Sequence, residues 1–598
     1  MLTTQQYLEL VNDRGRRGLS LERVYRGIRS EEMFLAAYGK LYKNKGAMTP
    51  GVDPEDTVDG MSMGRIRDII QQLELGEYRW SPTRRVEIPN PKGGTRKLSV
   101  AGWKDKLLQE VIRSVLEAYY EPQFSERSHG YRPDKGCHTA LQEIAVTWKG
   151  TIWFIEGDIK GCFDNIDHGT LLGILGNKIR DNRLMKLLRQ MLEAGYMEDW
   201  KWNRTYSGTP QGGVLSPLLA NIYLNELDQF IENELMPRYN RGERRRRNPA
   251  YNFWNNKHKW AKKTGEVKWA KVLKKELMQT PSGDPNDPDY RRLKYIRYAD
   301  DFLLGFAGPK EEAETIKREI GDFLKQRLLL QIAEDKTHIT HASTKPAKFL
   351  GYDVQVEKRN AVLGNQGRSV NGQVFLRVPQ EVQAEWIRKF TREGKPIHRP
   401  ELLNEDDFDI IAQFGAEFRG LVNYYTMAIN VKSMFRIKGV MLEALIRTLA
   451  AKHKTARTAI YKKYYTEFEK GLSGVTLKIE REGKKPLTAN FGNVRIHYQR
   501  MVEGINDGRW TPNPNRTQLI DRLTADTCEL CGEGGDMEVH HVRKLADIKK
   551  MYRHKKQPVW VANMIAKQRK TIVVCLEFHR RIHAGTHDGS TTRSWRAV

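Results

Sequence analysis

The chain has 598 residues, about four times a typical domain, so several domains with substantial cores are expected. Apolar residues make up 39% and charged residues 29%, which excludes collagenous and wholly disordered classes. The 101 Lys and Arg outweigh 74 Asp and Glu to give a net charge of +27, so the expected partner is a polyanion, nucleic acid first.

No run reaches the roughly 18 apolar residues that cross a bilayer, and the opening MLTTQQYLELVNDRGRRG lacks the apolar core of a signal peptide. The expectation is an intracellular protein, bacterial-cytoplasmic or organellar, with no membrane partner. Five Cys cannot build a disulfide framework, and three of them, Cys528, Cys531 and Cys575, fall in the last 71 positions, which points to metal.

In chain order, residues 1–80 carry helical patterning, closed by turn chemistry at Lys45-Gly46 and Thr49-Pro50-Gly51. RRVEIPNPKGGTRKLSV (84–100) reads as a β-hairpin bearing Arg84, Arg85, Lys92, Arg96 and Lys97, and a helix is expected near 104–120. TIWFIEGDI (151–159) reads as a buried strand ending on acid, and SGTPQGGVLSPLLANIYLNELD (207–228) as a Gly- and Pro-marked loop entering a helix. Between Arg238 and Lys275 stand 14 basic and 2 acidic residues, interleaved with Tyr239, Tyr251, Phe253, Trp254, Trp260 and Trp269. Cations there can replace phosphate counterions and aromatics can stack on unpaired bases; a solvated helix with local aromatic packing is the other reading. KYIRYADDFLLGFA (294–307) reads as two strands around an acidic tip, KFLGYDVQV (348–356) as another strand, 380–490 as helical and basic, and GRWTPNPNRTQ (508–518) as a linker.

Two constellations carry chemistry. In Tyr298-Ala299-Asp300-Asp301 two adjacent carboxylates at a tight turn repel and desolvate each other unless cations neutralise them. Mg²⁺ suits such oxygen ligands, with phosphates and water filling its other positions. Asp158, 142 residues before Asp300, can reach the same point if the strands are neighbours. Two ions about 4 Å apart would then activate a 3′-oxygen and stabilise leaving pyrophosphate; an exposed hairpin tip is the alternative. At the other end, Cys528-x2-Cys531, His540-His541, Cys575 and His579-x3-His583 concentrate thiol and imidazole ligands, and His579 and His583 share one helical face.

Seven ordered blocks, RRVEIPNPKGGTRKLSV, SHGYRPDKGCHTAL, IEGDIKGCFDNIDH, SGTPQGGVLSPLLANIYLNELD, YIRYADDFLLGF, LLLQIAEDKTHIT and AKFLGYDV, together resemble the fingers and palm of reverse transcriptases encoded by group II introns. FRGLVNYYTMAINV (418–431) resembles their thumb, or maturase region, and the terminal unit resembles His-Asn-His nucleases. The resemblance implies an α+β fold, a right-hand polymerase with fingers, antiparallel palm sheet and helical thumb, plus a small ββα-metal nuclease domain. The implied domains are 1–80 N-terminal extension, 81–375 fingers and palm with a basic insertion at 229–290, 376–489 thumb, 490–525 DNA-binding region and 526–598 nuclease.

Asp158, Asp300 and Asp301 would hold two Mg²⁺, Phe163 would reject a ribose 2′-hydroxyl, Gln211 in Thr209-Pro210-Gln211-Gly212-Gly213 would support the templating base, and Arg84, Lys92 and Arg96 would meet the deoxynucleoside triphosphate. The position after Pro89, often Lys in the family, is Asn90; Lys336 is a weaker candidate near the primer or palm floor. Arg244, Arg245, Arg246, Arg247, Lys257, Lys259, Lys262 and Lys263 of the insertion would bind intron RNA, and Arg419, Asn423, Tyr424 and Tyr425 mark the thumb or an ordinary core stripe.

In the nuclease, His540, His579 and His583 would bind a divalent metal and His541 would be the general base acting on target DNA. Cys528, Cys531 and Cys575 would hold structural Zn²⁺, but the family's fourth Cys is Phe578 here, which leaves the fourth ligand missing or supplied from elsewhere, His587 or water. No residue is assigned as the middle Asn. The implied function joins RNA-directed DNA polymerase, splicing maturase and DNA endonuclease in intron mobility. The alternatives are an RNA-binding splicing cofactor without polymerase activity and a reverse transcriptase of another retroelement.

Overall fold

The structure is a computed structural model describing residues 3–586 apart from 45, 90–93, 199–200, 204, 206, 209–211, 285–286, 358–362, 365–366, 369–371, 482–483, 503–517, 544, 553–556 and 568. Asn90, Lys92, Thr209, Pro210, Gln211, His587 and nearly all of the linker 508–518 lie outside the described residues. The fold mixes helix and sheet.

Helices open the chain, as the sequence patterning predicts: α1 (Thr4–Arg16), closed at its start by a Thr3–Gln6 capping box, α2 (Glu31–Leu41) and α3 (Met63–Leu75). The hairpin follows as β1 (Thr83–Pro89) and β2 (Thr95–Val100), with Arg84 opposite Val100, and then the buried helix α4 (Trp103–Tyr120). A five-stranded sheet comes next. Its strands are β3 (Ser128–His129), β4 (Trp153–Asp158), β5 (Arg292–Tyr298), β6 (Asp301–Ala307) and β7 (His338–His341), in the order β7-β4-β6-β5-β3. The short helix α5 (Cys162–Asn165) follows β4 directly, and α6 (Ser216–Phe230) follows the Gly-rich loop. The basic insertion folds as a helical hairpin, α7 (Pro249–Lys263) against α8 (Val267–Gln279), around Ala261, Ala270, Leu273 and Trp254.

Three segments depart from the sequence expectation. The stretch 348–356 is two strands, Ala347–Phe349 and Tyr352–Val356, folded back at Leu350 and Gly351, whose φ values are 47° and 70°. Beyond helices α9 (Asp407–Tyr424) and α10 (Met434–His453), the region up to 490 ends in a sheet containing β8 (Leu472–Arg481) and β9 (Lys484–Phe491). Buried Val475, Ala489 and Phe491 pack that sheet on the helices, overriding the helical reading of a Lys-rich segment. Residues 493–502, in a region whose sequence reads as basic and helical, are irregular.

The terminal unit has β10 (Met537–His541) antiparallel to β11 (Thr571–Cys575), then α11 (Leu576–Ala584). It does not stand apart. Val539, Ile572, Val573 and Phe578 belong to the same core cluster as Tyr38, Val58, Met61 and Trp103, whereas α9 and α10 share a second core with the 347–378 strands.

Candidate functional site: a carboxylate cleft and a histidine cluster

Strand β6 lies between β4 and β5, which sets Asp301 opposite both Asp158 and Tyr298 at one sheet end. Ala299 takes a left-handed φ of 54°, so this turn needs external support. His129 supplies part of it: its carbonyl accepts the Ala299 N–H at 2.9 Å. Arg297 supplies the rest, donating Nη1 to the Ala299 carbonyl at 2.7 Å. The Arg297 side chain is fully buried, as is its ion-pair partner Asp228 at 2.6 Å. Its other N–H groups reach Asn221 Oδ1 and Ser128 Oγ, and the Tyr295 hydroxyl donates to Asp228 at 2.7 Å. A buried pair with every guanidinium donor used avoids the cost of orphaned charge and fixes the turn.

Three carboxylates meet at this end. Crowding by the protein, then the charges of Asp300 and Asp158, push Asp301 up to about 7, although its side chain borders solvent. Desolvation, followed by Asp158, also raises Asp300. Lys336, which sequence alone left as a weaker candidate, donates Nζ to Asp158 at 2.5 Å. The three carboxylates do not form a set whose oxygens all lie within 4.8 Å of one another. Hard oxygen donors that raise one another's pKa are a donor set for Mg²⁺.

Phe163 lies on α5, partly buried, with its ring edge-on to exposed Tyr131 at 6.4 Å. The Gly-rich loop runs against it: a Cβ on Gly208, where φ is +88°, would sit 2.8 Å from the Phe163 carbonyl oxygen, and one on Gly212, where φ is +103°, 2.9 Å from that of Ser99. Only glycine permits both approaches.

In the terminal unit, ligand atoms of His540, His579 and His583 lie within 4.8 Å of one another, and Asp59 joins them from the N-terminal region. His583 Nε2 is 2.7 Å from Asp59 Oδ2, and His540 Nδ1 and His579 Nε2 are each 3.5 Å from Asp59 Oδ1. His540 Nδ1 is buried without a hydrogen-bond partner, a nitrogen that fits a metal-binding role. Glu538 orients His579 through Nδ1 at 2.5 Å, the usual support for a ligating imidazole. Burial works against Asp59, but the hydrogen bond with His579 and the positive field of His540 hold its carboxyl well below the ordinary range. Burial also drives His540 down to about 4 and His541 to about 3, while Asp59 and Glu538 overcome burial to lift His579 to about 9.

The thiols of Cys528, Cys531 and Cys575 also lie within 4.8 Å of one another. Burial pushes Cys531 up to about 12 and raises Cys575. Phe578, which follows on α11, is buried.

Residues 88–354 match the family model for reverse transcriptase (RNA-dependent DNA polymerase), 381–497 that for type II intron maturase, and 528–579 that for AI2M/AI1M-like HNH endonuclease. Group II intron-encoded protein LtrA of Lactococcus lactis subsp. cremoris is 38% identical across 97% of this chain and 99% of its own length. The chain belongs to the group II intron-encoded proteins. A putative COX1/OXI3 intron 2 protein of Saccharomyces cerevisiae is 32% identical over 93% of this chain and 65% of its own length. This intron-encoded protein is thus multifunctional, with reverse transcriptase, maturase and DNA endonuclease domains.

Around that core the other sequence candidates divide. Arg84 donates to the carbonyls of Pro50 and Gly51, between 3.0 and 3.2 Å, which ties much of its guanidinium to the protein. Arg96 is exposed on β2. In the intron-encoded protein's insertion, Lys257, Lys259, Lys262 and Lys263 are exposed on α7 beside exposed Phe253 and Trp260. Arg244 and Arg247 are exposed too; Arg246 pairs with Asp284 at 2.8 Å, and Arg245 lies over the Tyr290 ring. Tyr424 and Tyr425 donate their hydroxyls to the carbonyls of Leu350 and Gly351, a packing role, while Arg419 and Asn423 stay exposed. Sequence reasoning missed Asp59, Tyr38, Glu538 and the Arg297–Asp228 pair. For Asp59 no local signal existed, because its partners lie some 480 residues downstream.

Proposed function

We propose that the sheet end bearing Asp158, Asp300 and Asp301 is the polymerase centre of a right-hand architecture, with the β1–β2 hairpin in the fingers, the five-stranded sheet as palm and α9–α10 in the thumb. The observation that carries this reading is the strand register that sets Asp158 directly opposite Asp301 beside a turn locked by Arg297. Two Mg²⁺ ions held by these carboxylates would offset charge on the primer 3′-oxygen and the leaving pyrophosphate. Phe163 would pack under the incoming sugar and exclude ribonucleotides, Gln211 would support the template base, and Lys92 with Arg96 would meet the triphosphate; for Arg84 the carbonyl contacts favour a scaffold role instead. The insertion residues Arg244–Arg247, Lys257, Lys259, Lys262 and Lys263 would hold intron RNA.

The terminal unit would be a ββα-metal nuclease in which His540, His579 and His583 hold a divalent ion and His541 is the general base toward a DNA phosphate. A metal there would polarise the phosphate. Cys528, Cys531 and Cys575 offer a zinc-type set that lacks a fourth protein ligand among the described residues. Domain limits of 1–80, 81–375, 376–489, 490–525 and 526–598 follow from this assignment. The protein would nick its DNA target and copy bound intron RNA from the new 3′-end.

Primer extension on an RNA template with Mg²⁺ and deoxynucleotides tests the polymerase. Wild type makes complementary DNA and Asp300→Asn, which keeps shape and loses charge, does not; equal extension by both would remove the carboxylates from catalysis.

A further inference from the structure

We propose that Asp59 is a displaceable fourth ligand of the nuclease metal, carried in from the N-terminal region, and that this contact holds the DNA-cutting centre closed until a DNA phosphate takes the carboxylate's place. The inference rests on the nuclease reading of His540, His579 and His583.

Both Asp59 oxygens face the cluster. Oδ2 is 2.7 Å from His583 Nε2, and Oδ1 is 3.5 Å from His540 and His579 and accepts the His541 N–H at 2.6 Å. The segment is docked by backbone as well: the Gly60 N–H donates to the Val539 carbonyl at 3.1 Å and the Val539 N–H to that of Met61 at 2.9 Å. Val58 and Met61 join the core of the terminal unit.

A second contact from the same region covers the base. The hydroxyl of fully buried Tyr38, on α2, lies 2.9 Å from His541 Nε2 and occupies that ring nitrogen. Three imidazoles and a carboxylate make a complete four-ligand set, and closed sets are characteristic of structural sites, whereas catalytic sites keep one position for water or substrate. An anionic carboxylate oxygen in that position resembles the phosphate oxygen it excludes. Cutting therefore requires the 57–61 segment to withdraw, and this couples nuclease access to the N-terminal part of the polymerase.

The test compares full-length wild type with Asp59→Asn, Tyr38→Phe and His579→Ala, each checked for fold by circular dichroism. Mn²⁺ is the probe, read by the ¹⁴N coupling in its electron-spin signal, which only histidine-bound ion gives. Hydrogen exchange is followed at 57–61 and 539–541, and nicking of duplex DNA is measured at saturating Mn²⁺. Asp59→Asn is expected to bind nitrogen-coordinated Mn²⁺ about tenfold more weakly, to lose the Mn²⁺-induced slowing of exchange at 57–61, and to nick faster. Tyr38→Phe is expected to nick faster with Mn²⁺ affinity unchanged. Unchanged Mn²⁺ affinity in Asp59→Asn, or slower nicking at saturating Mn²⁺, overturns the inference. If His579→Ala retains the nitrogen-coupled signal and wild-type nicking, the nuclease assignment fails instead.

Discussion

The carboxylate end of the sheet and the histidine cluster gather charge from opposite directions. In the cleft the acids arrive on adjacent strands of one sheet, border solvent, and have Lys336 as a cationic neighbour. In the cluster the imidazoles are drawn together by a short strand and a helix, and the opposite charge comes from Asp59, far away in sequence. The carboxylate end borders solvent with its own charges in conflict; in the cluster His540 and His579 are buried, His583 is exposed, and the opposing charge comes from outside the terminal unit. Strand register brings the three acids together from two segments that each mark a strand end in the sequence, whereas Asp59 reaches the histidines by a docking that no local signal marks.

The largest expected break in this comparison is Asp301→Asn. It removes one of three mutually repelling acids, and primer extension should fall about 10²–10³-fold, on the scale of losing a preorganised electrostatic group, while DNA nicking holds. Next, Arg297→Met leaves Asp228 buried without its partner and releases the Ala299 carbonyl. Denaturant unfolding should show about 3–5 kcal/mol of lost stability, and a loss below about 1 kcal/mol would mean the pair does not hold the turn.

Smaller in effect, replacing Lys257, Lys259, Lys262 and Lys263 by Ala should flatten the dependence of log affinity for intron RNA on log salt by up to about 3, at roughly 0.7 per phosphate contact. An unchanged slope would return the insertion to a solvated face. The smallest concerns the start of α9, where burial opposes ionisation of Asp407 but Lys452, Tyr464 and His453 prevail and hold it at about 2. A depressed carboxyl stabilises the fold above its unfolded value near 4, so this contribution should disappear as pH falls from about 4 to about 2, seen as a drop in thermal midpoint that Asp407→Asn lacks.

Strands β4 and β6 and their acids were readable because an apolar run ends at Asp158 and another starts at Asp301. His579 and His583 were readable from helical spacing alone. The β8–β9 sheet was not: the alternating Val475, Leu477 and Ile479 are only three residues in a stretch otherwise patterned and charged like a helix, and Val475 is buried in the core it shares with α9 and α10. Neither was the fold-back at Leu350, which depends on two left-handed residues in a row. The closed state of the cluster was illegible for the plainest reason: nothing in Thr57-Val58-Asp59-Gly60 marks it as facing three histidines from the far end of the chain.

The most direct test of two separate centres in one chain uses a single DNA target and bound intron RNA with wild type, Asp300→Asn and His541→Ala. The account predicts that wild type nicks and extends, Asp300→Asn nicks without extending, and His541→Ala extends only a primer supplied already cut. Loss of both activities in either variant, or nicking that survives in His541→Ala, would contradict it.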